Sequence, residues 1–184
     1  MRSLIIAAAS LSVAVVASPV FAQSPLDLGQ VQVYGTLGYS NLDGNGVDLS
    51  AVQGRLGARY GRYFGVEGEL AGGTDDLHTT DSAGTPLKVG LRNQEAIYGV
   101  GFLPLTPSLD LFARGGFGGT DGKLGDYAVP TTYRYGGESW NYGAGAQYFF
   151  GAGKTGVRAD YTRYDYEHEV PDDNVWSVAL VRKF

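Results

Sequence analysis

The sequence predicts an all-β fold, an eight-stranded antiparallel up-and-down transmembrane β-barrel, from three observations. Eight segments of about ten residues alternate apolar and polar side chains, as strands with one apolar face do. After the first 22 residues, no segment has the ~18 consecutive apolar residues of a membrane-spanning helix. The composition is rich in Gly (29) and Tyr (13). Because only helices and closed barrels satisfy every backbone polar group in lipid, membrane-crossing strands must close into a barrel.

The first 22 residues have the pattern of a secretory signal peptide. Arg2 supplies a positive start, residues 4–17 are apolar, and the small residue Ala22 suits a cleavage site. The apolar run is too short to span a membrane, although an uncleaved N-terminal helix is the alternative interpretation. The sequence therefore predicts two parts, a signal peptide at 1–22 and a barrel domain at 23–184.

Turn residues separate the eight predicted strands. These strands are residues 30–41, 49–60, 66–72, 91–103, 109–118, 138–150, 155–165 and 175–184. The connections after the second, fourth and sixth strands are short, and residues 104–108, with two prolines, can only be a turn. The other connections are longer and polar. Short turns at one end and longer loops at the other are typical of a transmembrane barrel with both termini on the periplasmic side.

Charged residues in the middle of the strands decide which face points outward. The interior of an eight-stranded barrel is just wide enough to be filled by side chains, and buried charges must be paired. The sequence therefore predicts that the polar faces point inward and form a charge-paired network that plugs the barrel. Its predicted members are Arg55, Arg59, Glu67, Glu69, Glu95, Arg114, Arg158 and Asp160. A soluble ligand-binding barrel, with its apolar faces inward, is the alternative.

Aromatic residues on the apolar faces predict a girdle at the two membrane interfaces. The predicted girdle consists of Tyr39, Tyr60, Tyr98, Phe102, Trp140, Tyr142, Tyr148, Tyr161 and Trp176. In the fourth strand, this interpretation turns Ala96, Tyr98, Val100 and Phe102 toward lipid and Glu95 toward the interior.

The last predicted strand has one apolar face and ends on Phe184. Together with the eight alternating segments and the stretches at 109–116 (LDLFARGG) and 156–161 (GVRADY), it resembles the small outer-membrane β-barrel family, which includes the OmpA transmembrane domain and OmpX-like proteins. The resemblance covers the whole chain after the leader. It implies the bacterial outer membrane, contact with the lipid bilayer and lipopolysaccharide, and recognition by the barrel-assembly machinery. It implies a C-terminal assembly signal made of Trp176, Val178, Leu180 and Phe184.

Full-length OmpA has a periplasmic peptidoglycan-binding domain that this sequence lacks, so no cell-wall tether is expected. The net charge of −5 argues against a nucleic-acid partner, which would require a basic face.

No motif in the sequence predicts a catalytic, metal or cofactor site. There is no cysteine. The Gly153-Lys154-Thr155 stretch lacks the earlier glycine of a phosphate loop, and Tyr148 stands at that position. Residues 43–48 have spacing faintly like a calcium loop, but the twelfth position lacks its Glu. The two histidines, His78 and His168, fall in predicted loops without a serine–histidine–acid pattern.

These observations predict a monomer without enzymatic activity that has a structural and surface-interaction role. It would support membrane integrity and present its outer loops to a partner. Two alternatives remain open: a lipid A-modifying barrel enzyme that uses His78 or His168, and a narrow conduit for ions or solutes. The loop residues Tyr127, Tyr133 and Tyr135 are interpreted first as aromatic anchors at the membrane interface, and the alternative is an adhesive surface to which they would supply contact area.

Overall fold

The computed structural model describes residues 31–44, 47–74, 76–80, 86–126, 132–135, 137–151, 153–166 and 172–184. These residues contain ten β-strands: β1 (Val31–Gly44), β2 (Val47–Tyr60), β3 (Phe64–Gly73), β4 (Asp76–Thr80), β5 (Pro86–Pro104), β6 (Leu109–Asp126), β7 (Thr132–Tyr135), β8 (Glu138–Phe150), β9 (Thr155–Tyr166) and β10 (Asp173–Lys183). In this part of the chain, no helix has the length and apolar character needed to cross a membrane. The predicted signal peptide and its cleavage after Ala22 lie outside the described residues.

Eight of the ten strands close into a barrel. The order around it is β1, β2, β3, β5, β6, β8, β9 and β10, and every neighbouring pair is antiparallel. The ring closes where β1 pairs with β10, from Tyr34 opposite Lys183 to Asp43 opposite Asn174. The predicted eight-stranded antiparallel barrel is therefore confirmed. The remaining strands, β4 and β7, extend the sheet beyond the barrel by pairing with the ends of β5 and β6.

The strand boundaries differ from prediction mainly at the end with the long connections. β8 has the predicted bounds, but β5 and β6 run for 19 and 18 residues. Residues 74–89 and 119–137, predicted as loops, contain β4, β7 and the outer ends of β5 and β6. These stretches are polar, so they lack the period-2 apolar signal on which the prediction depended.

The first predicted outer loop is also shorter than expected. Gly44 pairs with Val47, which leaves only residues 45 and 46 between β1 and β2. Their sequence, Asn-Gly, is the dipeptide that two-residue hairpin connections prefer. The prediction of a loop over residues 42–48 was therefore wrong, because turn-forming residues within the flanking strands widened the apparent loop.

At the opposite end, the connections after β2, β5 and β8 are short, as predicted. Gly61 and Gly153 lie in turns with φ angles of 61° and 77°, where side chains other than glycine are strained. The backbone N–H of Leu109 donates to the Thr106 hydroxyl oxygen at 3.0 Å, which closes the turn between β5 and β6. Both termini of the barrel lie at this end, because Phe184 donates its backbone N–H to Val33 O at 3.0 Å.

Two apolar clusters lie inside the barrel, one toward each end. The outer cluster consists of Leu42, Leu49, Ala51, Ala71, Leu91, Tyr164, Tyr166 and Val175. The cluster toward the end with the short turns consists of Tyr34, Ala96, Tyr98, Val100, Phe102, Phe112, Phe149 and Val181. Charged side chains from β2, β3, β6 and β9 occupy the space between them.

Candidate functional site

Alternation along the strands places six charged side chains together in the middle of the barrel. Each of these side chains is buried, which means that its charge is removed from water. We call this set the central charge network: Arg55 on β2, Glu67 and Glu69 on β3, Arg114 on β6, and Arg158 and Asp160 on β9. Three guanidinium groups face three carboxylates, so the network has no net formal charge.

Arg55 joins two sides of the barrel. Its Nε donates to Glu69 Oε2 at 2.5 Å on the neighbouring strand. Its Nη1 and Nη2 donate to Asp160 Oδ1 and Oδ2 at 2.7 and 3.0 Å, across 105 residues of sequence. Nη2 also donates to Gln53 Oε1 and to Ser177 Oγ, each at 3.2 Å. This bidentate geometry is the one in which an arginine holds a carboxylate most strongly.

Arg114 and Arg158 complete the network by sharing the same acids. Arg114 Nη1 donates to Glu69 Oε2 at 2.9 Å, and its Nη2 lies 3.1 Å from Asp160 Oδ2. Arg158 donates two hydrogen bonds to Glu67, with Nη1–Oε1 and Nη2–Oε2 distances of 2.5 and 3.1 Å. Its Nε lies 3.2 Å from Asp160 Oδ1. Each carboxylate therefore contacts at least two arginines or an arginine and a tyrosine, which offsets the cost of burying it.

Tyrosine hydroxyls satisfy further lone pairs of the network. Tyr34 donates to Glu67 Oε1 at 2.6 Å, and Tyr164 donates to Glu69 Oε1 at 2.9 Å. The hydroxyl of Tyr98 lies 3.2 Å from that of Tyr164 and 3.4 Å from Glu69 Oε1. These three tyrosines link the charges to the apolar clusters above and below, a contribution that the sequence analysis missed. For Tyr34 and Tyr164 the available signal was a position on the predicted inward face, whereas Tyr98 was predicted on the outward face.

The face of β5 was predicted the wrong way round. Tyr98 and Phe102, expected in the outer girdle, are 0% and 4% exposed and point into the barrel, whereas Glu95 lies on the outside. A guanidinium group packs over the face of each ring. Arg114 lies over the Tyr98 ring and Arg59 over the Phe102 ring, each at 4.3 Å from the centroid. Such cation–π contacts let aromatic rings share an interior with charges.

β5 misled the prediction because both of its faces are weakly polar. The outward face carries Ile97, 73% exposed, between Glu95 and Gly99, so it has less apolar surface than the inward face. The prediction assigned the more apolar face of each strand to lipid, and for β5 this assignment gave the wrong orientation. A bulge at Arg92, between Leu91 and Asn93, then shifts the alternation of the outer part of the strand.

Arg59, expected in the network, lies apart from it near the end with the short turns. Its Nη1 donates to Asp110 Oδ2 at 2.7 Å, and Gln147 Nε2 donates to the same oxygen at 2.9 Å. Lys183 Nζ lies 3.5 Å from the centroid of the Phe149 ring at the same end. Asp110 is thus a buried acid that the predicted network omitted, although its inward register pointed to it.

On the outside of the barrel, the other predicted girdle residues are exposed or half-buried. Trp140 packs edge-on against Phe117 at 5.5 Å, and Trp176 packs against Tyr161 at 4.8 Å, both between ring centroids. The exposed members are Tyr39, Tyr60, Trp140, Tyr142, Tyr148 and Trp176, with Tyr161 half-buried. The residues of the predicted assembly signal, Trp176, Val178, Leu180 and Phe184, all lie on this outer face.

The described residues contain no group of three His, Asp or Glu side chains arranged to hold a metal ion. The side chain of His78 and the whole of His168 lie outside the described part of the chain, as do Tyr127 and the side chains of Tyr133 and Tyr135. The acids of the central charge network are already bound by guanidinium groups.

Comparison with known families and structures agrees with this architecture. A family model described as outer membrane protein beta-barrel domain matches residues 7–184. The chain belongs to this outer-membrane β-barrel family. An outer-membrane barrel places its exposed apolar side chains against lipid, which accounts for the large exposed surface of Val, Leu, Ile and aromatic residues. The family assignment also places the protein in the bacterial outer membrane.

Solved structures similar to this outer-membrane barrel share its fold at low sequence identity. Ail of Yersinia pestis, in complex with the heparin analogue sucrose octasulfate, is 17% identical, with a TM-score of 0.58 and coverage of 84% of this chain and 99% of Ail. The N-terminal barrel domain of Pseudomonas aeruginosa OprF is 13% identical, with the same TM-score and coverage of 84% and 100%. Neisserial surface protein A is 9% identical, again at 0.58, with coverage of 84% and 97%. No curated protein sequence matches the chain.

Proposed function

We propose that this outer-membrane barrel is a closed, non-enzymatic structural protein that presents its outer connections to partners at the cell surface. The observation that carries the proposal is the central charge network, held between two apolar clusters. A solute crossing the barrel would have to displace apolar side chains at both ends and separate buried ion pairs between them. Removing one partner from a buried pair costs ~3–5 kcal/mol, and several such pairs would have to separate together.

The same geometry argues against the conduit alternative. Porins that leave an aqueous channel have about 16–18 strands, whereas an eight-stranded barrel is filled by its own side chains. Here the charged residues that fill the middle of the barrel come from β2, β3, β6 and β9 and meet across the axis, as the Arg55–Asp160 pair illustrates. The enzyme alternative has no supporting observation among the described side chains.

Planar-bilayer recording tests the closed interior. We expect the folded barrel, inserted into bilayers in concentrated KCl, to produce no stepwise current, because the ion pairs of the network close the axis. Insertion is verified on the same sample by the shifted gel band of the unboiled protein. The comparison is the double variant Arg55→Ala/Asp160→Ala, which shortens two interior side chains together. Its conductance is compared with that of the unaltered barrel, and an increase is sought in the variant. Discrete current steps from the unaltered barrel would contradict the proposal.

The outer connections have a strongly acidic composition, which favours partners of opposite charge. Together with the outer ends of the strands that flank them, these connections comprise residues 42–48, 74–89, 119–137 and 166–174, which contain eleven Asp and Glu but only three Lys and Arg. The Ail structure contains a sulfated heparin analogue. A sulfated ligand would be repelled by these acidic segments, so the proposed partner of this barrel is a basic surface.

Chromatography of the folded barrel in detergent tests the charge of that partner. We expect salt-sensitive retention on polylysine resin, since exposed charges are screened by salt. The double variant Asp75→Asn/Asp76→Asn, which changes the residue before β4 and the first residue of β4, should elute earlier from polylysine. Glu95→Gln/Glu138→Gln, which removes two acids exposed on the barrel wall, provides the control with equal charge change. No retention on polylysine, or an equal effect of both variants, would overturn the assignment of a basic partner to the outer connections.

A further inference from the structure

The end of the barrel with the short turns carries a group of basic side chains. We call this group the basic rim: Arg62, Lys154, Arg182 and Lys183. Arg62 lies in the turn after β2, Lys154 in the turn after β8, and the other two at the end of β10. The backbone N–H of Lys183 donates to the carbonyl oxygen of Lys154 at 2.7 Å, which places the turn after β8 beside the end of β10.

The positive charge of the rim has little compensation. Among the described residues at this end, the acid facing the interior is Asp110, which already binds Arg59 at 2.7 Å and Gln147 at 2.9 Å. None of the four rim side chains lies within ion-pair distance of a carboxylate in the part of the chain that the structure describes. Arg62, Lys154 and Arg182 are exposed, so their charges remain available to a ligand.

The rim adjoins apolar surface that faces lipid. Arg182 lies on the outward face of β10 between Leu180 and Phe184, which are 63% and 70% exposed. Its cross-strand neighbour Thr155 is paired in turn with Phe150, which is also exposed. A long basic side chain in such a position lays its stem on apolar surface and directs its charge to the membrane interface.

We propose that the basic rim binds the anionic headgroup of a phospholipid in the periplasmic leaflet, with the lipid's acyl chains against Leu180, Phe150 and Phe184. A membrane lipid fits better than a soluble anion because the cationic and apolar parts of the surface are continuous. Basic clusters beside a membrane attract anionic lipid by the same electrostatic mechanism in other proteins. The inference goes beyond the proposed surface role, since it concerns the opposite end of the barrel.

Native mass spectrometry of the folded barrel tests the proposal. The protein is equilibrated with phosphatidylglycerol and phosphatidylcholine of identical acyl chains, and the retained lipids are counted. We expect preferential retention of phosphatidylglycerol. Lys154→Gln/Arg182→Gln should reduce this preference by ~25-fold at low salt, from a factor of ~5 for each basic side chain. Raising the salt concentration should weaken the preference of the unaltered barrel.

The control variant is Arg92→Gln/Arg163→Gln, which removes two partly exposed arginines from the opposite part of the barrel. It should keep the preference, and the gel shift of unboiled samples establishes that both variants are folded. Equal retention of the two lipids by the unaltered barrel, or equal loss in both variants, would overturn the proposal. Competition by glycerol phosphate at concentrations similar to the lipid would assign the rim to a soluble phosphate instead.

Discussion

Replacing Arg158 by methionine is expected to lower the free energy of unfolding of the barrel by about 3–5 kcal/mol. The Arg158 and Glu67 side chains are completely buried and paired at 2.5 and 3.1 Å. Methionine has a similar length but no charge, so it leaves the Glu67 carboxylate with the Tyr34 hydroxyl and with Arg114 at 3.9 Å. The loss arises mainly from this uncompensated buried charge.

Urea unfolding in lipid vesicles, followed by the fluorescence of Trp140 and Trp176, measures the change. The control is Arg92→Met, because Arg92 is 48% exposed and lies 4.0 Å from Asp121. A surface pair of this kind contributes ~0–1 kcal/mol. The double variant Arg158→Met/Glu67→Gln removes both charges and should recover part of the loss. Equal urea midpoints for the two methionine variants would show that the central charge network does not stabilise the fold.

Gly116→Ala is expected to impair folding, whereas Gly115→Ala in the adjacent position is not. A Cβ at Gly116 would lie 2.0 Å from the backbone oxygen of Ile97 and 2.8 Å from the Cα of Tyr98. The backbone of β5 would have to move, at a cost of ~1–3 kcal/mol or more. A Cβ at Gly115 meets nothing within 4 Å. There, alanine reduces the freedom of the unfolded chain and stabilises by ~0.5–1 kcal/mol.

Refolding yield distinguishes the two glycine variants. Each variant is diluted from urea into vesicles, and the folded fraction is read from the gel band of unboiled samples. We expect a clearly lower folded fraction and a lower urea midpoint for Gly116→Ala, and values at or above those of the unaltered protein for Gly115→Ala. Equal behaviour of the pair would show that β5 and β6 are not packed as closely as the structure has them.

The barrel itself could be predicted from sequence because its strongest signals are local. β8 alternates Trp140, Tyr142 and Tyr148 outward with Asn141 and Gln147 inward, and its bounds agree with the prediction. β9 and β10 show the same regular alternation. Period-2 patterning needs no knowledge of the neighbouring strand, so one sequence is sufficient to recognise it.

The face of β5 could not be predicted in the same way. Whether Tyr98 points inward depends on Glu69 and Arg114, which come from two different strands of the barrel. The pairing within the interior was equally inaccessible. Arg55 and Asp160 are 105 residues apart, and Arg158 and Glu67 are 91 apart, so their contact depends on barrel closure and register. Sequence patterning identified most of the charged residues but not which of them meet.

The unusual length of β5 and β6 gives the protein an uneven profile at the cell surface. A tilted strand crosses the bilayer with about 9–11 residues. β5 and β6 have 19 and 18 residues and therefore continue beyond the bilayer for about eight residues. This excess corresponds to ~25 Å of strand at ~3.4 Å per residue. With β4 and β7 alongside, they form a four-stranded wall on one side of the outer mouth, while β1 and β2 turn after two residues on the other. The described part of the barrel is therefore taller at β5 and β6 than at the β1–β2 hairpin.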